Sequence, residues 1–252
     1  MMCSFVSYFL YLYYMNLLIC MAGLNTRFHN VGFDIPKYLL PWNNSVIIFD
    51  ILKNLTADNI YLIAHQRDEY FKKELLKAIN PLGLTKKNLF YIGDTDGQAQ
   101  TAKEGLQSIN LKSGPIFFHN ADTILINRKL SKITNKLSKN FSAYIDIFYG
   151  DSEKYSYVEI SEDKLVKNIK EKKVISKFAS SGLYGFQSKE IFLNYYKKLE
   201  KKEGELYISD VLKKMIQFDE KIFTNQIFKK DKTIVLGSPE EYGIEVTKSI
   251  VT

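Results

Sequence analysis

Asn16-Leu17-Leu18-Ile19-Cys20 runs through Met21 into Ala22-Gly23-Leu24-Asn25-Thr26-Arg27-Phe28, and this junction decides the fold. Residues 16–20 are apolar enough for a central strand buried on both faces of a sheet. Gly23 then lets the backbone turn and approach a ligand with no Cβ in the way. Successive backbone N–H groups at such a turn can face an anion, and the planar fork of Arg27 suits phosphate oxygens. Pro36-Lys37 follows, adding a movable point charge. Taken alone, the segment reads equally well as an ordinary strand-to-loop turn beside a solvated arginine. It is not a Walker loop, since no Gly-Lys-Ser or Gly-Lys-Thr follows, and it lacks the second and third glycines of a dinucleotide fingerprint.

Outward from this junction the pattern repeats. The apolar spacing predicts a helix over 45–55, a strand over 59–64, a helix over 68–79, a strand over 88–92, a helix over 98–109 and a strand over 115–119. Strands alternating with helices of this length argue for βαβ units and a mostly parallel sheet covered on both faces. Ligands in such sheets sit at the carboxyl ends of strands, where residues 23–37, 93–98 and 119–123 fall. From residue 142 the texture changes to strands rich in Tyr, Phe and Ile, at 142–149, 155–160 and 180–187. Helices over 188–202 and 207–216, a strand near 232–236 and a helix opening at Pro239 complete the chain. No repeat or Gly/Ser linker interrupts it, so 15–252 reads as one domain, with 15–140 and 141–252 as its two halves.

The 252 residues, 46% hydrophobic and 25% charged, suffice for a full core. The net charge of +7 comes largely from lysines scattered through 128–202, with doublets such as Lys172-Lys173 and Lys201-Lys202 but no arginine-rich block. These read as solvated faces rather than a nucleic-acid surface, and they suit acidic substrates. Cys3 and Cys20 lie far from any second pair and from the histidines, which excludes a readable disulfide framework or zinc site and fits a reducing cytoplasm. The first 24 residues carry no charge, enough in length for a membrane span of about 20 residues. Assigning 16–21 to the first strand leaves too few to cross a bilayer, so no stable membrane insertion is expected. Residues 1–14 then read as an extension upstream of a start at Met15, against a hydrophobic anchor or an edge segment.

Four further places could carry chemistry. Asp122 follows the apolar strand at 115–119, where a carboxylate is useful for a divalent ion but also makes an ordinary helix cap. Residues 93–102 form a Gly-Asp turn running into a helix N-terminus, a place for an anion, a base edge or a simple cap. Glu171-Lys172 ends a strand-like stretch and by itself is a charged surface doublet. Glu205 and Asp210 flank the start of the helix at 207–216 and could serve only its dipole.

In order along the chain, these segments resemble the nucleotidyltransferases that make nucleotide-activated sugars, in particular the glucose-1-phosphate thymidylyltransferases and related capsule cytidylyltransferases. Residues 21–28 with Ile35-Pro36-Lys37 resemble the family's Gly-rich signature loop, Asp96-Gly97-Gln98-Ala99-Gln100 its base-reading loop and Asn120-Ala121-Asp122-Thr123 its metal-aspartate turn. Glu171-Lys172, Gly182-Leu183-Tyr184, the run from Gly204-Glu205 to Asp210, and the run from Gly237-Ser238-Pro239 to Tyr242 continue the series. The departures are Asn25 for a second Gly, Phe28 for Leu, Lys173 where the thymidylyltransferases carry Pro, and Val235 where many members carry a second metal-binding Asp.

The resemblance implies an α/β, Rossmann-like three-layer fold of the GT-A type with a mixed, mostly parallel central sheet. It implies that an NTP and a phosphorylated acceptor bind side by side and that pyrophosphate is released. Arg27 would act on the β- and γ-phosphates and Lys37 on the α-phosphate and acceptor phosphate, as the catalytic pair. Ala22, Gly23, Leu24, Gly97 and Gln98 would bind the nucleotide, Asp122 would hold Mg²⁺, and Glu171, Lys172, Gly182 and Glu205 would hold the acceptor. The acceptor is expected to be a sugar 1-phosphate or a small phospho-metabolite such as phosphocholine or phosphoglutamine, with CTP favoured and UTP or dTTP open, feeding surface polysaccharide. Oligomeric state stays open. Two other readings remain: a glycosyltransferase of the same architecture, for which Asn120-Ala121-Asp122 supplies only the last Asp of an Asp-x-Asp motif, and a non-catalytic nucleotide-binding regulator.

Overall fold

The computed structural model describes residues 14–200 and 204–251. Residues 1–13 of the expected extension, Cys3 and the Lys201-Lys202 doublet lie outside the described residues. The chain enters through β1 (Asn16–Met21) and a single helical turn, α1 (Thr26–His29), then a short hairpin of β2 (Pro41–Trp42) and β3 (Ser45–Val46). Next come α2 (Ile47–Asn54), β4 (Asn59–His65), α3 (Lys72–Ile79), β5 (Leu89–Ile92), α4 (Gln98–Ser108) and β6 (Ile116–Asn120). The middle of the chain forms β7 (Thr123–Ile126), α5 (Leu130–Leu137), β8 (Ala143–Tyr149), β9 (Ser156–Ile160), β10 (Val166–Glu171) and β11 (Phe178–Phe186). It closes with α6 (Lys189–Tyr196), α7 (Ile208–Ile216), β12 (Ile222–Thr224), β13 (Lys232–Val235) and α8 (Pro239–Val251).

One nine-stranded sheet runs in the order β10-β9-β11-β6-β1-β4-β5, with β8 paired to β11 and β12 to β8. β1 lies parallel between β4 and β6, and β5 is parallel to β4. β11 is antiparallel to β6, β8 and β9, and β10 is antiparallel to β9, so only these two of the nine strands run against the rest. The sheet is therefore mixed and mostly parallel. Alternation along its strands splits the interior in two. Leu17, Ile19, Met21 and Phe117 face a core closed by α2 and α3, whereas Leu18, Ile63, Ile116 and Phe118 face a second core closed by α4, α6 and α7. A strand buried on both faces has no polar side to show, which explains the unbroken apolar run that opened the reading.

Several boundaries differ from the sequence expectation for identifiable reasons. Ser45-Val46 pairs with Pro41-Trp42, so the helix expected from 45 begins at Ile47. Over 66–71 the backbone winds as a tighter 3₁₀ turn while Asp68 is drawn inward to accept the Tyr38 hydroxyl at 3.1 Å, and α3 proper starts at Lys72. α6 ends at Tyr196, short of the expected 202. The strands β7 and β12 and the helix α5 went unassigned: β12 has three residues, and α5 hides its apolar stripe of Leu130, Ile133 and Leu137 among lysines. Among the described residues no helix is long and apolar enough to cross a membrane.

Candidate active site

The carboxyl ends of β1 and β6 open into a cleft of about 430 Å³, the location that a sheet of this topology offers to ligands. One part of its lining is built by residues 20–28, with Lys37, Gly97 and Gln98. Asp122, Glu171, Lys172, Gly182 and Glu205 also line it. All twelve residues singled out from the sequence thus line one cleft, although they come from widely separated stretches.

The loop after β1 turns at Asn25, which takes a left-handed conformation (φ 58) and donates from its side-chain amide to the Ile35 carbonyl at 3.1 Å. That bond ties the Gly-rich loop to the Pro36-Lys37 segment, and asparagine is one of the few residues besides glycine that tolerate this region. Arg27 is exposed to the cleft. From outside the cleft, Arg67 reaches back and donates through Nη2 to the Gly23 carbonyl at 2.6 Å. The sequence reading missed this clamp, since nothing local distinguishes Arg67 from a solvated side chain on the turn after β4.

Lys37 and Asp122 form the central charge pair, with Nζ 2.5 Å from Oδ2 and side-chain exposures of 27% and 14%. Burial pushes the Asp122 carboxyl up, but the Lys37 ammonium outweighs that and, with the Thr123 hydroxyl, holds it below the usual carboxylate range. It is therefore an ionised carboxylate at neutral pH. A side chain built at Gly237 would place its Cβ 3.2 Å from Asp122 Oδ2 and 3.5 Å from Glu241 Oε2, so two carboxylates converge where Gly237 leaves space. Val235 lines the cleft beside them and contributes no oxygen from its side chain. Among the described residues no cluster of three or more His, Cys, Asp or Glu is preformed for a metal. A hard divalent ion that takes one or two carboxylates and completes its shell with phosphate oxygens and water fits this donor set; a closed protein cage does not.

Elsewhere in the lining, Lys172 sits in a left-handed conformation (φ 52) just past the end of β10. Its Nζ donates to the Tyr207 hydroxyl at 2.9 Å, and that hydroxyl donates to Glu205 Oε2 at 2.5 Å. Burial, then the hydrogen bond to Glu205, raises the Tyr207 phenol, which keeps it protonated as the donor in this chain. Glu171 Oε2 accepts from the hydroxyls of Ser156 and Ser209, the latter at 3.1 Å. Tyr155 donates to Glu241 Oε1 at 2.9 Å, and Lys154 pairs with Glu240 at 2.8 Å, so the turn before β9 is fastened to the start of α8. Tyr155, Tyr184, Tyr207 and Glu241 are cleft residues that were not singled out individually, although Tyr184, Tyr207 and Glu241 fell inside quoted motifs.

Two glycines couple the sides. Gly97 (φ 126) packs against the Leu206 backbone, and the segments exchange bonds from Leu206 N–H to Asp96 O at 2.8 Å and from Ala99 N–H to Leu206 O at 2.9 Å. Gly182 (φ 81) lies against the Asn120 side-chain amide, and Asn120 Oδ1 in turn accepts from the Gln98 amide. Gln98 is thus a structural link across the floor as well as a cleft residue. Cys20, expected as a core residue, packs on the core and also reaches the cleft floor; burial pushes its thiol up to about 12, so it is an inert thiol.

A sequence profile of the nucleotidyl transferase family matches residues 17–231. The bifunctional protein GlmU of Methanococcus maripaludis is 25% identical over 213 residues, 81% of this chain but 47% of that protein, so the chain spans about half its length. The D-glycero-alpha-D-manno-heptose 1-phosphate guanylyltransferase of Campylobacter jejuni is 27% identical over 237 residues, covering 90% of this chain and 97% of the relative. In three dimensions, the nucleoside-diphosphate-sugar pyrophosphorylase from Vibrio cholerae RC9 superposes with a TM-score of 0.77 at 26% identity, over 92% of this chain and 99% of that one.

Proposed function

The chain belongs to the nucleotidyl transferase family, and from that premise we propose that it joins a nucleoside monophosphate from an NTP to a sugar 1-phosphate with release of pyrophosphate. The observation that carries this reading is the Lys37–Asp122 pair at 2.5 Å, set between the Gly-rich loop and a wall of carboxylates and phenols. An oxygen of the acceptor phosphate attacks the α-phosphorus, the new P–O bond forms, and the bond from α-phosphorus to the bridging oxygen breaks to release pyrophosphate. Both reactants are anions, so the site must cancel charge and align them rather than supply a covalent nucleophile. Arg27, exposed beside the loop, takes the β- and γ-phosphates and the leaving pyrophosphate. Lys37 turns from Asp122 to the α-phosphate as the nucleotide enters. Bound at Asp122, with Glu241 nearby, Mg²⁺ would screen the phosphate oxygens from one another.

The acceptor side favours a polyol. Glu171, Glu205 and Glu241 each already accept a hydroxyl from Ser or Tyr and keep further lone pairs for the hydroxyls of a sugar. Lys172 stands at the same wall to meet the acceptor phosphate. The Campylobacter relative is a heptose 1-phosphate guanylyltransferase and the Vibrio one a nucleoside-diphosphate-sugar pyrophosphorylase, which supports sugar phosphate chemistry. A phosphocholine acceptor is the second reading, favoured by Tyr155, Tyr184 and Tyr207 on one wall, since aromatic faces and carboxylates attract a quaternary ammonium. CTP heads the nucleotides by resemblance, followed by UTP and dTTP. Supplying activated precursors for surface polysaccharide would be the consequence.

The test is pyrophosphate release with Mg²⁺ across CTP, UTP, dTTP and GTP, each against a panel of sugar 1-phosphates, phosphocholine and phosphoglutamine. Release with a sugar 1-phosphate supports the proposal. Release only with phosphocholine or phosphoglutamine moves the acceptor, and silence throughout with NTP binding intact refutes catalysis in favour of a regulator. Sugar transfer from a nucleotide sugar without pyrophosphate would establish the glycosyltransferase reading instead.

A further inference from the structure

A charged cluster with no part in the chemistry above lies directly behind the acceptor wall. Asp146 of β8 is fully buried and Arg128 is 7% exposed. Arg128 Nε donates to both Asp146 oxygens at 3.0 and 3.2 Å, Nη1 to the Ile126 carbonyl at 3.2 Å, and Nη2 to Thr233 Oγ1 at 3.0 Å. The Tyr144 hydroxyl donates to Asp146 Oδ1 at 2.6 Å and the Ser181 hydroxyl to Oδ2 at 2.7 Å. A buried ion pair is a poor source of stability compared with apolar packing, so its presence calls for another role.

That role is visible in the strand register. Ala179 and Ser180 of β11 pair with Phe148 and Ile147, whereas Tyr184 and Gly185 pair with Ile145 and Tyr144. Residues 181–183 therefore stand opposite Asp146 alone, a bulge with two extra residues on β11. The bulge falls where β11 changes neighbours, from β9 at Ala179 to β6 at Leu183. Ser180, Gly182 and Tyr184 face the cleft, while the Ser181 hydroxyl turns back to Asp146. The cluster thus grips from behind the segment whose front forms the acceptor wall.

We propose that Asp146, braced by Arg128 and Tyr144, is a positioning residue that holds the 181–183 bulge through Ser181 and so sets the acceptor wall at Gly182. This rests on the transfer reading for its kinetic consequence but not for its structural one. The test is Ser181→Ala, which removes one donor and leaves the Arg128–Asp146 pair intact. Acceptor KM should rise about tenfold, the factor expected from one lost hydrogen bond to a charged group, with NTP KM within about twofold of wild type. Amide hydrogen exchange in the unliganded protein should accelerate over 178–186 and stay unchanged over 16–21 and 59–65. An unchanged acceptor KM with exchange raised equally in all three strands would mean a purely structural contact and would overturn the proposal, as would no change in either measurement. Where the wild type turns over no acceptor, the transfer reading has failed, and the exchange pattern alone decides the bulge: local acceleration upholds it and uniform or absent acceleration overturns it.

Discussion

Replacing Gly97 with alanine should uncouple the two sides of the cleft without unfolding the protein. Gly97 has φ 126 and ψ −178, a region that is essentially glycine's alone, and holding alanine there costs about 1–3 kcal/mol. The added Cβ would lie 2.6 Å from the Leu206 carbonyl oxygen and 2.7 Å from its amide nitrogen, and both are backbone atoms that cannot swing aside. Relief requires the segment around Leu206 to withdraw, breaking the Leu206 N–H to Asp96 O and Ala99 N–H to Leu206 O bonds at 2.8 and 2.9 Å. Each contributes about 0.5–1.5 kcal/mol net. The combined loss of roughly 2–6 kcal/mol lies at or below the lower part of the ~5–15 kcal/mol stability range of an ordinary domain. In a chain of this size it lowers Tm by roughly 4–24 °C. Glu205 and Tyr207 ride on the withdrawn segment, and misplacing such groups by about 1 Å costs about a hundredfold in rate. Thermal melts and pyrophosphate release check both numbers, with Gly93→Ala as the control because a Cβ there meets nothing within 4 Å. A Gly97→Ala protein that melts and turns over like the control would refute the reasoning. Full turnover with a lowered Tm would keep the packing argument and discard the coupling.

Arg27→Ala and Asp122→Ala should each cut turnover by at least about a hundredfold, as loss of a transition-state electrostatic partner does; near-normal pyrophosphate release by both would remove them from the mechanism. Because Lys37 holds the Asp122 carboxyl below its ordinary value, the pair contributes stability that is present above the unfolded pKa of about 3.9 and is lost as pH falls through the lower folded value. Asp122→Asn should accordingly flatten the loss of Tm below about pH 4, and a melt profile with the wild-type acid slope would contradict the pairing. Arg67→Ala frees the Gly23 carbonyl it grips at 2.6 Å. NTP KM should rise several-fold, about the value of one charge-assisted hydrogen bond, while acceptor KM holds; equal changes in both would show that the clamp does not act on the nucleotide loop.

Much of this architecture is legible in the amino-acid sequence. The runs at 16–20, 59–64 and 115–119 became β1, β4 and β6, because a strand buried on both faces needs a continuous apolar stretch and such stretches are local. The twelve candidate residues were found by their order along the chain, and they line one cleft. What went unread had no local signal. Arg67 and Asp146 look like ordinary polar residues on paper, and β12, at three residues, is too short to show a period.

The sequence by itself determined the alternation of strands and helices, the Gly-rich loop after β1 and the family resemblance, since backbone conformation and burial period are set by residues a few positions apart. Only the tertiary structure decided that Lys37 meets Asp122 from 85 positions away, that Gly97 must accommodate Leu206 and that Asp146 faces three residues of β11. These contacts depend on how distant loops are brought together at the ends of the strands. Charge pairing and steric exclusion act over a few ångströms in space, and no spacing along the chain encodes that distance.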